Sequence, residues 1–151
     1  MSDFTNDPMI LRQIIMDHYQ YPRNHELSED TLGYQQKHMA SESCIDDIYV
    51  QSKIQNGVVE DVRFNGVACT ISTASTSIMS ELMRGRSIEE AKEIIANYFH
   101  MIDGESYDEA LLEEAIAFHN VGKQANRIKC ATIGWKAMAE MIKESEDEHG
   151  K

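Results

Sequence analysis

The stretch that decides the fold is residues 47–66, DIYVQSKIQNGVVEDVRFNG. Asn56-Gly57 sits at its centre, a pair that tolerates the left-handed backbone of a two-residue hairpin turn. Ile48, Val50 and Ile54 alternate with polar residues before the turn, and Val58, Val62 and Phe64 do so after it. Two antiparallel strands with one apolar face need a second layer to cover that face. The sequence on either side supplies helices.

Downstream, CTISTASTSIMSELMRG (69–85) reads as a helix from Cys69 to a stop at Gly85, a residue suited to the position just past a helix end. Its many serines and threonines let another element approach closely. SIEEAKEIIANYF (87–99) carries a capping box, with Ser87 as N-cap and Glu90 three places on. SYDEALLEEAIAFHN (106–120) reads as a shorter helix. NRIKCATIGWKAMAEMIKES (126–145) is the last, with Ile128, Ala131, Trp135, Met138 and Ile142 along one side and Cys130 in its first turns. Upstream, NDPMILRQIIMDHYQ (6–20) is a helix with Asp7 as N-cap and Pro8 at its first position. Leu11, Ile14 and His18 share a face, and Pro22 ends the run by disfavouring helical geometry at Tyr21. Residues 25–43 show no period and read as a long loop. The expected architecture is α+β: a small antiparallel sheet packed against several helices. It forms a single domain over residues 1–151, with an acidic tail from about 143 that is either a solvated helix end or a disordered terminus.

The chain has 151 residues and a formal net charge of −12. Such a surface repels phosphate backbones and anionic lipid, which argues against nucleic-acid and membrane partners and suits a basic protein partner. No apolar run approaches the roughly 20 residues that span a bilayer. The start, MSDFTNDPMI, lacks a secretory pattern, so the expected address is the cytoplasm.

Three cysteines, Cys44, Cys69 and Cys130, are an odd number and form no disulfide framework. Taken singly, each could be a buried structural thiol. Taken together, they occupy three junctions: Cys44 ahead of the first hairpin strand, Cys69 and Cys130 near helix N-termini, where the helix dipole favours thiolate. Converging at one sheet end, they would form a thiolate triad with Asp46 as a fourth ligand, a closed tetrahedral set suited to zinc. Asp47 and Glu42 compete with Asp46 for that position. The cysteines lie 25 and 61 residues apart with no C-x-x-C knuckle. His18 and His119 read as packing or solvent-facing residues on helices, and a cysteine hydrolase using one of them has no local signature here.

LRQIIMDHYQYPRN (11–24), SESCIDDI (41–48), FNGVACTISTASTSIMSELMRG (64–85) and RIKCATIGW (127–135) together resemble the iron–sulfur assembly proteins of the IscU/NifU N-terminal family. The likeness runs from about Ile10 to Ile142 and is greatest to the SufU branch. Scaffold-type members carry a histidine directly before the third cysteine, where this chain has Lys129. The segment MIDGESYDEALLEEAIAFHNVGKQ (101–124) looks like the insertion of the SufU type. The resemblance implies zinc bound by Cys44, Asp46, Cys69 and Cys130, with Arg127 engaging a partner desulfurase. The implied work is sulfur transfer. Cys44 would accept persulfide sulfur from a pyridoxal-phosphate-dependent cysteine desulfurase of the SufS type and relay it to downstream iron–sulfur assembly proteins. Two alternatives stand beside it: a scaffold holding an iron–sulfur cluster at the same ligands, and a zinc-stabilised binding module without transfer chemistry. One departure concerns the site. The family usually reads Asn-Pro-Thr-Cys-Gly-Asp, and here the order is Ser-Glu-Ser-Cys-Ile-Asp. Either the loop takes another path at Ile45, or the glycine is not needed for its dihedral.

Overall fold

The structure, a computed structural model, describes residues 7–30, 32–40 and 45–149. Strands β1 (Gln35–Ala40), β2 (Asp47–Gln55) and β3 (Val58–Val67) form one antiparallel sheet in the order β1-β2-β3. Asn56 and Gly57 both have positive φ, 55° and 75°, as a two-residue turn between right-twisted strands requires. The alternation holds through Ile48, Val50, Val62 and Phe64, all buried. It breaks at a bulge, where Lys53 pairs with Asp61 but Ile54 pairs with Val59. The extra residue flips the face of everything beyond it. Val59, not Val58, is therefore the buried valine next to the turn.

The expected loop over 25–43 contains β1. Its sequence, QQKHMA, has no apolar stripe because it is an edge strand that pairs with β2 through its backbone. Lys37 on this edge pairs with Glu144 and Glu140 of the last helix, which suits a strand that must not recruit another. Ala40, the last residue of β1, pairs with Asp47, the first of β2. Cys44 and Glu42 lie outside the described residues.

Helix α1 (Pro8–Gln20) is capped by Asp7, whose side chain accepts the Met9 N–H, and buries Leu11 and His18. Helix α2 (Thr70–Met83) has Cys69 as its N-cap, and Gly85 past its end has φ 83°. Nearly all of α2 is buried, from Ser72 to Met83, between the sheet, α1 and the last helix. Helix α3 (Ile88–Ile102) has the full Ser87–Glu90 capping box. The short helix expected over 106–120 is only one α-turn, α4 (Glu109–Leu112), followed by 3₁₀ turns at Glu113–Phe118 and Val121–Lys123. Glu113 breaks the α pattern with φ 48° and is held by Arg86 at 3.1 Å. Helix α5 (Ala125–His149) continues through the acidic segment to His149.

The core lies between the sheet and α2, α3 and α5. Trp135 of α5 stacks on Tyr98 of α3 with ring centroids 3.9 Å apart. Ser75 of α2 accepts the Trp135 indole N–H at 3.0 Å and donates to the Ala131 carbonyl at 2.6 Å, so the polar atoms of this buried cluster are paired. Burial raises the Tyr98 phenol well above its ordinary pKa, keeping it neutral as a donor to the same carbonyl. No described helix is long and apolar enough to cross a membrane.

Candidate metal centre

At the end of the sheet opposite the Asn56-Gly57 turn, three elements meet. The strand start brings Asp46, the α2 N-terminus brings Cys69, and the second turn of α5 brings Cys130. One carboxylate oxygen and the two sulfurs lie within 4.8 Å of one another. Zinc with bonds of about 2.3 Å to sulfur and about 2.0 Å to oxygen holds tetrahedral ligand atoms roughly 3.5–3.8 Å apart. The group needs to contract by about an ångström to meet that spacing. Asp46 is 2% exposed and Cys130 6%, so both donors are already withdrawn from water.

Alternation along β2 settles which aspartate turns inward. Successive residues face opposite sides. Asp46 is buried, while Asp47 points outward and pairs with His38, which stacks on Tyr49. Asp46 Oδ1 accepts the Cys69 N–H at 2.9 Å and the Ser72 hydroxyl at 2.7 Å. It thereby satisfies an N-cap amide that a helix otherwise presents to its own third residue. Cys69 Sγ in turn accepts the Ser72 N–H at 3.5 Å. The Ile45 side chain is 65% exposed.

Arg127 and Lys129 are exposed on the first turns of α5, beside Cys130. Arg127 lines a groove of about 560 Å³ with Leu11, Arg12, Ile15 and Thr70, the last adjacent to Cys69. His119 lines the same groove. His18 does not serve a cysteine. It is 1% exposed, with Nδ1 2.7 Å from Ser77 Oγ and Nε2 2.8 Å from Glu114 Oε1. These atoms have the composition of a hydrolytic triad, but Ser77 is fully buried and its oxygen also accepts the Arg23 N–H. They tie α1 and α2 to the 3₁₀ segment, and nothing in them favours the hydrolase alternative. Sequence reasoning missed Ser72, the residue that touches both Asp46 and Cys69. Its spacing of three from Cys69 is the only signal, and the partner aspartate is 26 residues away.

The family described as NifU-like N terminal domain matches residues 10–150. The chain is 36% identical over 147 residues to the zinc-dependent sulfurtransferase SufU of Bacillus subtilis (strain 168), covering 97% of this chain and 98% of that one. It is 35% identical over 133 residues to the iron–sulfur cluster assembly scaffold protein IscU of Streptococcus pyogenes serotype M1, covering 87% and 82%. A crystal structure of a candidate iron–sulfur cluster assembly scaffold protein for the SUF system, from Fervidobacterium islandicum AW-1, superposes with a TM-score of 0.77. It is 30% identical and covers 89% of this chain and 97% of that one. The chain therefore belongs to the NifU-like N-terminal domain family of iron–sulfur cluster assembly proteins, as a SufU-type member.

Proposed function

We propose that this protein is a zinc-containing sulfur acceptor. In this reading Cys44 takes persulfide sulfur from a pyridoxal-phosphate-dependent cysteine desulfurase of the SufS type and passes it to downstream assembly proteins. The observation that carries the reading is the buried Asp46, Cys69 and Cys130 group, whose mixed sulfur and oxygen donors suit zinc. Cys44 would complete it as the fourth ligand: it lies two residues before Asp46, so its Cα is at most about 7.6 Å from that of Asp46. When bound, zinc supplies the positive charge that keeps clustered thiolates ionised and shielded.

The chain's own residues divide the remaining work. Cys69 caps α2 and Cys130 is packed inside α5, so moving either disturbs a helix. That supports the reading in which Cys44 is the nucleophile. Its thiolate attacks the terminal sulfur of the donor's persulfide. A new sulfur–sulfur bond forms on Cys44, the donor's sulfur–sulfur bond breaks, and the donor cysteine leaves as a thiolate. The terminal proton stays on the transferred sulfur, and no net oxidation occurs. Arg127 and Lys129 offset the negative charge of three thiolates and a carboxylate around a divalent ion, and Arg127 presents the site to the donor.

The test incubates the purified protein with a desulfurase and cysteine, maps added sulfur by peptide mass spectrometry, and measures zinc per chain. Sulfur is expected on Cys44, with transfer lost in Cys44→Ser. Sulfur mainly on Cys69 or Cys130, or unchanged transfer in Cys44→Ser, defeats the assignment. A second reading is a scaffold for an iron–sulfur cluster at the same ligands. It is supported by the scaffold description of the Streptococcus pyogenes relative. Anaerobic reconstitution with iron and sulfide, followed by absorbance, separates it: a stable cluster absorbance favours the scaffold.

A further inference from the structure

We propose that Ser72 is a positioning residue of the metal centre, fixing the Asp46 carboxylate and the Cys69 sulfur in one arrangement before an ion arrives. The inference rests on the metal-binding part of the proposed function. Ser72 is 0% exposed and is the third residue of α2, one turn inside the Cys69 cap. Its hydroxyl has three acceptors in reach: Asp46 Oδ1 at 2.7 Å, the Cys69 carbonyl at 3.3 Å and Cys69 Sγ at 3.4 Å. A hydroxyl has one proton, and the short contact to an ionisable carboxylate takes it. Oδ1 then holds two donors, the hydroxyl and the Cys69 N–H. Two donors on one oxygen fix the rotation of the carboxylate about its last bond and direct an incoming cation to the other oxygen. The Ser72 N–H meanwhile points at Cys69 Sγ. One residue thus sets the orientation of two ligands from segments 23 positions apart in sequence.

A plain structural role predicts something different. If Asp46, Cys69 and Ser72 only cap α2, removing the hydroxyl lowers the stability of metal-free and metal-bound protein alike and leaves metal affinity unchanged. If Ser72 positions ligands, the loss falls on the metal-bound form. Residues that orient metal ligands typically change metal affinity by about 10–100-fold when removed.

The experiment compares the full chain with Ser72→Ala and Ser72→Gly. Zinc affinity is read by competition with a chromophoric chelator. Ligand geometry is read from the thiolate-to-cobalt and d–d absorption of the cobalt(II) forms, and melting is followed with zinc and with chelator. The expected result is a zinc affinity weakened by about 10–100-fold in both variants. It is accompanied by altered cobalt bands and a melting loss larger with zinc than with chelator. Parent-like affinity and cobalt spectra in either folded variant overturn the proposal while leaving the zinc reading standing. Failure of both variants to fold also overturns it, because the residue would then be needed for the fold itself. A parent chain that binds neither zinc nor cobalt overturns this proposal and the metal-binding reading together.

Discussion

Gly134→Ala tests how closely α2 and α5 must approach to bring Cys69 and Cys130 together. A Cβ at Gly134 would lie 2.5 Å from Thr76 Oγ1, 2.8 Å from its Cγ2 and 3.0 Å from its Cβ. Ordinary contact begins near 3.4 Å, so Thr76 or a helix must move by about 0.9 Å. Thr76 is fully buried in the middle of α2 and cannot swing into solvent. Overpacking of this kind costs roughly 1–3 kcal/mol. Replacing a helical glycine by alanine returns about 1 kcal/mol through backbone entropy. Because the clash is with a fully buried side chain, the upper part of that range applies, about 2–3 kcal/mol, and the net expectation is a loss of about 1–2 kcal/mol, or roughly 2–8 °C in melting temperature for a chain of this size. The partner substitution sharpens the test. Thr76 Oγ1 is buried with no hydrogen-bond partner among the described residues, so Thr76→Ala gives up packing but also removes an unsatisfied hydroxyl. Alone it should cost little, and combined with Gly134→Ala it should restore most of the loss. The measurement is thermal and urea unfolding of the four proteins of the cycle in chelator, so that no metal contributes. A Gly134→Ala protein as stable as the parent, or a double variant no better than Gly134→Ala, refutes the close-approach argument. Gly134 is one helical turn past Cys130, so the same wedge should also weaken zinc binding.

Asp61 gives a pH prediction. Burial pushes its carboxyl upward, but hydrogen bonds from Tyr34 and Arg63 and the charges of Arg63 and Arg84 outweigh this and hold it below the ordinary value. A folded pKa below the unfolded one contributes stability that is present above about pH 4 and is lost as the pH falls through the lowered folded value. Urea midpoints from about pH 5 downward should fall more steeply for the parent than for Asp61→Asn, and parallel curves would remove Asp61 from the acid response. Arg127→Ala should keep its zinc, because the guanidinium is no ligand, yet stimulate a desulfurase less. Full stimulation in kinetic assays of the partner would take Arg127 out of the mechanism.

The sequence by itself determined what depends on near neighbours. The Asn56-Gly57 turn, the Ser87–Glu90 box, the Asp7 cap and the Gly85 stop are each fixed by a few adjacent residues, and all four stand in the structure. The three cysteines and Asp46 were legible as a candidate set because family motifs name them, whereas their spacing of 25 and 61 residues carries little information. Elements stabilised by distant partners were not legible. Strand β1 has a polar sequence and exists because β2 offers its backbone edge and α5 offers Glu140 and Glu144 to Lys37. The helix expected over 106–120 gives way to 3₁₀ turns where Arg86 and His18 hold Glu113 and Glu114. The bulge opposite Lys53 and Ile54 chose Val59 over Val58 for the core, a one-residue shift that alternation cannot locate. The choice between Asp46 and Asp47 likewise waited for the strand to set its faces, and Ser72 acquired a role only when α2 brought it against Asp46. Local propensity acts over a few residues of chain. Which carboxylate is buried, and what holds it, is decided by packing between segments that meet only in the folded protein.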